Sequence, residues 1–177
     1  MKSTYYLLGF VAFVLAVAFA WHQYRAPRYT AGEPAPDFKV TLKDGRTAQL
    51  SDLRGKYVLL QFWGSWCGPC RAENPHLAQL YRQYHEKGFE IFSIGIEKNQ
   101  KAWEKAIQND AMIWSWHTAD FSSFNGAIAQ QYRVKSIPAT FLINPQGIIM
   151  GINFSPEQIE KILEQLWQFV SDASKAQ

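Results

Sequence analysis

Tyr57-Val58-Leu59-Leu60-Gln61-Phe62-Trp63 is a nearly continuous apolar run, and Gly64-Ser65-Trp66-Cys67-Gly68-Pro69-Cys70 follows it directly. Such a run predicts a central strand buried on both faces. A helical pattern begins after Pro69 and reaches about Lys87, with Leu77, Leu80, Tyr81 and Tyr84 on one face and Gly88 as its stop. The two cysteines therefore fall where a strand gives way to a helix. The unpaired backbone N–H groups and the helix dipole favour an anion there. Cys67, the outer cysteine, is accordingly the expected low-pKa thiolate. Pro69 suits the first turn because its missing N–H costs nothing at that position. Cys70 sits a turn deeper and can reach back to the sulfur of Cys67.

Other uses of two cysteines fit less well. Zinc would need two further ligands, and His22, His76, His85 and His117 show no matching spacing. Covalent haem attachment requires His after the second cysteine, where Arg71 stands. A redox-active dithiol remains, with an inert structural pair as its alternative. Neither needs a metal or another cofactor.

Working outward, residues 38–41 and 47–50 flank Lys43-Asp44-Gly45-Arg46 and predict a hairpin, with Ser51 capping a short turn through Leu53. Residues 89–96 read as a second buried strand. Residues 99–109 read as an amphipathic helix with Trp103, Ala106 and Ile107 inward. Residues 114–118 suggest a short strand and 124–132 a helix. Residues 139–143 and 148–154 bracket the turn Asn144-Pro145-Gln146-Gly147. Ser155 and Pro156 open a last helix carrying Ile159, Ile162, Leu163, Leu166 and Phe169 at helical spacing. The alternation predicts an α/β fold, a mixed sheet with helices on both faces.

At 177 residues the chain suits one domain with a small appendage. With 47% hydrophobic and 19% charged residues it has a core to bury and is not a disordered polymer. Lys2, Arg25 and Arg28 are the only charged side chains before residue 29, and the remainder carries 15 basic and 15 acidic residues. A neutral domain has no electrostatic footprint for nucleic acid.

No residue from Ser3 to Tyr24 is charged with His22 neutral, and Tyr5, Tyr6, Trp21 and Tyr24 lie at the ends of the segment. Its apolar heart of about 17 residues would rise roughly 25 Å as a helix, near the lower limit for a bilayer. Residues 1–24 therefore read as a transmembrane signal anchor with aromatic belts, 25–36 as a linker and 37–177 as the domain. A cleaved signal peptide ending at Ala18-Phe19-Ala20 is the alternative. Both place the domain on the extracytoplasmic side.

The run from Phe62 to Cys70 resembles the active site of the thioredoxin superfamily, and Ile137-Pro138-Ala139-Thr140-Phe141-Leu142-Ile143 resembles its cis-proline loop and following strand. Ala35-Pro36-Asp37-Phe38, with Leu50-Ser51-Asp52-Leu53-Arg54-Gly55-Lys56, is similar to the N-terminal extension of the membrane-anchored TlpA/ResA-like branch. The resemblance covers about residues 34–169. It implies a thioredoxin fold with an added hairpin and a central insertion, and thiol–disulfide exchange at the outer face of a bacterial cytoplasmic membrane. Cys67 would attack a client disulfide and Cys70 would resolve the mixed disulfide.

Further expectations follow from the resemblance. Pro138 maps onto the cis-proline, where the backbone of Ile137 can pair with a client strand. Glu73 matches an acid that tunes the dithiol's proton transfer, and Trp66, Gly68 and Pro69 would touch clients. Thioredoxin has a buried Asp six residues before its first cysteine; Gln61 stands there and cannot titrate. Gly-Pro between the cysteines is similar to thioredoxin and implies a reductant of protein disulfides, apocytochrome c among the candidate clients, recharged by a transmembrane thiol donor. A peroxiredoxin-like peroxidase is an alternative, but that group carries Thr where Gly64 stands. A non-catalytic membrane-tethered assembly module is another. Trp114, Trp116 and His117, in the insertion, would line a partner groove or pack beneath a long connection.

Overall fold

The apolar run becomes β3 (Tyr57–Trp63), the centre of a five-stranded sheet ordered β5-β4-β3-β6-β7. The computed structural model describes residues 2–25 and 29–175, with the side chains of 2–5, 7, 21–25, 170–171 and 173–175 excepted. β4 (Phe89–Ile96) and β5 (Trp116–Asp120) continue the sheet in parallel, with Gln61 opposite Ser93 and Phe92 opposite Trp116. β6 (Ala139–Ile143) runs antiparallel to β3, and β7 (Ile149–Ile152) antiparallel to β6. The result is a thioredoxin-like mixed sheet.

Alternation along β3 divides the core in two. Val58, Leu60 and Phe62 face the hairpin of β1 (Lys39–Thr41) and β2 (Thr47–Gln49), together with α4 (Ala127–Gln131). Leu59 and Trp63 face α2 (Gly68–Tyr84), α3 (Gln100–Asn109) and α5 (Pro156–Lys175). Side chains of successive strand residues point to opposite faces, so a strand covered on both sides must be apolar throughout. Gln61 shares the face of Trp63, which aims its amide beneath α2, the helix that carries the cysteines.

Several expected elements are displaced. β5 begins at Trp116, two residues later than read, because pairing with Phe92 starts there. The helix expected over 124–132 is broken: a tight turn, Ser123–Asn125, precedes Gly126 in extended backbone, and α4 follows. The Asp120 carboxylate fills the space a Cβ at Gly126 would take. Ser51 is not a cap; its N–H and hydroxyl donate to Asp37 at 3.0 and 2.6 Å. Phe169 is exposed, whereas Trp167 packs on Tyr57 and Tyr84 and donates its indole N–H to Lys87.

Residues 32–35, within the segment read as linker, lie along the outer edge of the sheet. Gly32 N–H donates to Ile149, Ile149 N–H to Glu33, and Ala35 N–H to Gly147, at 2.8 to 2.9 Å. The N-terminal segment forms α1 (Lys2–Arg25). Among the described residues no helix is long and apolar enough to cross a membrane. That falls short of the expected spanning helix. The side chains of Tyr5, Trp21 and Tyr24, read as belt aromatics, and linker residues 26–28 lie outside the described set.

Candidate active site

β3 ends at Trp63, and the chain turns back at once: Cys67 N–H donates to the Gly64 carbonyl at 3.0 Å. Cys67 then caps α2, with Cys70 N–H directed at its Sγ across 3.3 Å. The pair is joined as a disulfide with an S–S distance of 2.02 Å. Cys67 is 5% exposed and Cys70 wholly buried, so an incoming nucleophile meets Cys67 first. Gly68 and Pro69 are exposed beside the ring.

Trp66 projects outward, 53% exposed, yet its indole is fixed because the N–H donates to the Ile96 carbonyl at 2.7 Å. Phe124, from the insertion, meets it edge-on with centroids 6.4 Å apart. Gly64 is enclosed by the same groups: a Cβ there would lie 2.9 Å from the Trp66 indole nitrogen, 3.0 Å from the Ile96 oxygen and 3.1 Å from Ile137 Cδ1. Only glycine fits without displacing them. The Ile137–Pro138 bond is cis, and both residues are half-buried.

Glu73 lies one turn beyond Cys70. It lines a cavity of about 160 Å³ with Pro138, Thr140, Asn153, Phe154, Ser155 and Gln158. Burial pushes its carboxyl above the ordinary range, and the nearby Glu157 carboxylate adds to the effect. The structure thus brings Glu73 and the cis-proline to one cavity.

Beneath α2 runs a chain of buried polar groups. Trp114 donates its indole N–H to Ser93 at 2.9 Å, and Ser93 donates to Gln61 at 2.8 Å. The Gln61 amide donates to Asn74 at 2.9 Å, and Asn74 donates to Asp110 at 2.9 Å. Asp110 is gripped by the guanidinium of Arg71, through both Nε and Nη2. Buried polar groups of this kind must be mutually satisfied, or each costs a kcal/mol or more. Arg71 also donates to the Ser65 carbonyl at 3.3 Å, so the chain ends at the turn before Cys67.

Ser65 is held from its other side by Glu97. The carboxylate accepts the Ser65 N–H at 2.5 Å and the hydroxyl at 2.8 Å. Sequence reasoning missed Asn74, Arg71, Asp110 and Glu97 as site residues. Arg71 was visible beside Cys70, but nothing local tied it to an acid 39 positions away. The sheet register, Trp63 opposite Gly95, brings Ile96 and Glu97 alongside Gly64 and Ser65.

The insertion aromatics do not form a partner groove. Trp114 and His117 are 3% exposed and stacked on each other, and the half-buried Trp116 packs on Phe92. Burial drives the His117 pKa down to about 4. Among the described residues no group of three or more His, Cys, Asp or Glu is arranged to hold a metal ion.

This arrangement, a disulfide at a helix N-terminus with a cis-proline lining a cavity beside the same helix, has known counterparts. Residues 31–152 match the AhpC/TSA family. The thiol-disulfide oxidoreductase ResA of Oceanobacillus iheyensis is 36% identical over 129 residues, covering 70% of this chain and 65% of that one. ResA of Bacillus thuringiensis is 34% identical over 138 residues, covering 76% of this chain and 78% of the relative. The chain therefore spans just under two thirds of the first relative and over three quarters of the second. The thioredoxin domain of a thiol-disulfide oxidoreductase from Bacteroides vulgatus superposes with a TM-score of 0.71 at 27% identity, covering 78% of this chain and 98% of that one. The chain belongs to the AhpC/TSA family, among the thioredoxin-like thiol–disulfide oxidoreductases of which ResA is one.

Proposed function

We propose that this oxidoreductase works as a membrane-tethered, extracytoplasmic reductant of protein disulfides. The observation that carries the reading is the asymmetry of the pair: Cys67 caps α2 near the surface, while Cys70 is sealed beneath it. In the reduced form the Cys67 thiolate attacks one sulfur of a client disulfide. That bond breaks, the leaving client sulfur takes up a proton, and a mixed disulfide forms on Cys67. Cys70 loses its proton and attacks Cys67 Sγ, releasing the second client sulfur and restoring the Cys67–Cys70 disulfide. Two electrons pass to the client.

Each neighbour has a part in this proposal. Glu73 accepts the Cys70 proton through the cavity it lines with Pro138. The Ile137 backbone aligns an extended client segment, Gly68 and Pro69 leave the ring open, and Trp66 offers a rigid apolar platform. Clients with two cysteines in an unfolded stretch, apocytochrome c among them, suit such a site. The tether rests on the uncharged segment between Ser3 and Tyr24 and on Leu8, Phe10, Phe13, Leu15 and Phe19, exposed along α1. A transmembrane dithiol donor would restore the reduced form.

Replacing Cys70 with Ser tests the reading. The variant should accumulate client proteins disulfide-linked to Cys67, released by added reductant, and Cys67→Ser should accumulate none. Equal trapping by both variants would contradict it. The peroxidase alternative is disfavoured by Gly64, where no side chain fits; rapid peroxide consumption by the reduced chain would revive it.

A further inference from the structure

Four contacts fix the turn that leads into Cys67. Two come from consecutive residues at the end of β4: the Ile96 carbonyl accepts the Trp66 indole N–H, and the Glu97 carboxylate accepts both donors of Ser65. The third is Arg71 on the Ser65 carbonyl, and the fourth is the turn's own bond from Cys67 N–H to Gly64. Glu97 is only 1% exposed, and its own N–H is tied to Asp120 on β5. Its position is therefore set by the sheet and not by the loop it holds.

The charges around the dithiol are unevenly matched. Arg71 commits Nε and Nη2 to Asp110, and Glu73 lies on the opposite, cavity side. Among the described residues no cation lies within ion-pair distance of Glu97; Arg71 acts on it only from further off. Ser65 belongs to a tight turn closed by Cys67, so the carboxylate stands within about 10 Å of the Cys67 sulfur. A nearby like charge disfavours a thiolate.

We propose that Glu97 is a positioning residue of the exchange reaction: its grip on Ser65 fixes the Gly64–Cys67 turn, and its charge, offset by Arg71 only at a distance, tempers the Cys67 thiolate that the helix N-terminus favours. Burial raises the Glu97 carboxyl, while the two Ser65 donors pull it back, in keeping with a carboxylate held at a cost. Removing the charge should strengthen the Cys67 acid by roughly three- to tenfold at this separation. The inference rests on the dithiol reading above.

The variant Glu97→Gln in the full chain separates charge from shape. Glutamine still accepts the Ser65 N–H and can donate to its hydroxyl, so the turn is kept. The pH dependence of Cys67 alkylation by iodoacetamide should move about half to one unit lower. At pH 8 the glutathione exchange equilibrium should shift three- to tenfold toward the reduced pair, tenfold being about 30 mV. Unchanged alkylation and exchange, with only a lower melting temperature, would make Glu97 merely structural and overturn the proposal. Coupling between sites is reciprocal. In the unaltered chain the Glu97 carboxyl, followed by carbon NMR, should therefore show a second inflection in the reduced form at the pH where Cys67 ionises, absent from the oxidised form. Identical titrations would overturn the proposal even if the variant failed to fold. An unaltered chain that reached no exchange equilibrium with glutathione would instead remove the dithiol reading, and this inference with it.

Discussion

The side-chain amide of Gln61 donates to Asn74 across 2.9 Å, one turn of α2 beyond Cys70. The Gln61 oxygen is already occupied by the Ser93 hydroxyl, so the amide is satisfied on both sides without any titratable group. At the position where thioredoxin carries an acid, this chain holds a neutral strut. The proton leaving Cys70 has no acceptor there. In the proposed exchange reaction that part falls to Glu73, on the cavity side of the helix.

Glu73→Gln should therefore slow resolution of the mixed disulfide at neutral pH by about tenfold or more, as expected when a positioned base is lost. Burial and Glu157 raise the Glu73 carboxyl, so the unaltered chain should lose rate as pH falls through a range above that of an ordinary carboxylate. The variant should lack that limb. Stopped-flow measurement of resolution across pH checks both, and an unaltered acid limb in the variant would contradict the assignment.

Arg71→Ala should cost about 3 kcal/mol in urea unfolding, because it leaves the Asp110 carboxylate buried without its partner. The figure lies at the low end for buried pairs because Arg71 is 31% exposed. Replacing Asp110 as well, with an apolar residue, should recover part of the loss. A cost below about 0.5 kcal/mol would place the pair with ordinary surface ion pairs.

His117 makes stability pH-dependent. Its folded pKa is about 4, below its ordinary value of 6.5, because burial penalises the charged ring. Between those values the unfolded chain binds a proton that the folded chain refuses. Stability should thus fall as pH drops from about 6.5 to about 4, by at most ~3 kcal/mol from this group. His117→Asn should flatten that slope relative to the unaltered chain, measured by denaturant midpoints at successive pH values. Parallel slopes would contradict it.

Gly64→Ala should destabilise by about 1–3 kcal/mol, since the new methyl group crowds the Trp66 indole, the Ile96 carbonyl and Ile137 together. The Trp66 fluorescence should change as its hydrogen bond to Ile96 is strained. Gly64→Thr should do more damage and should not confer peroxide reduction. A neutral Gly64→Ala would mean that the three groups yield easily.

Much of this was legible in the chain itself. The apolar run of β3 and the turn at Gly45 announce their structures locally, through burial on two faces and left-handed backbone. The dithiol was legible for the same reason: strand, cysteine pair and helix start are consecutive. Phe169 misled because helical spacing shows a possible face and not whether another layer covers it. At Gly126 the Asp120 carboxylate, six residues back, takes the space of a side chain, a contact that helical spacing does not reveal. Glu97, Asn74 and Asp110 join the site only through strand register and helix packing, which no short motif records.

The most direct test of the central claim is the equilibrium reduction potential of the Cys67–Cys70 pair in the full chain. A reductant of protein disulfides should show a value near thioredoxin's, at or below roughly −240 mV. A value above roughly −180 mV would contradict the account and mark an oxidant or isomerase.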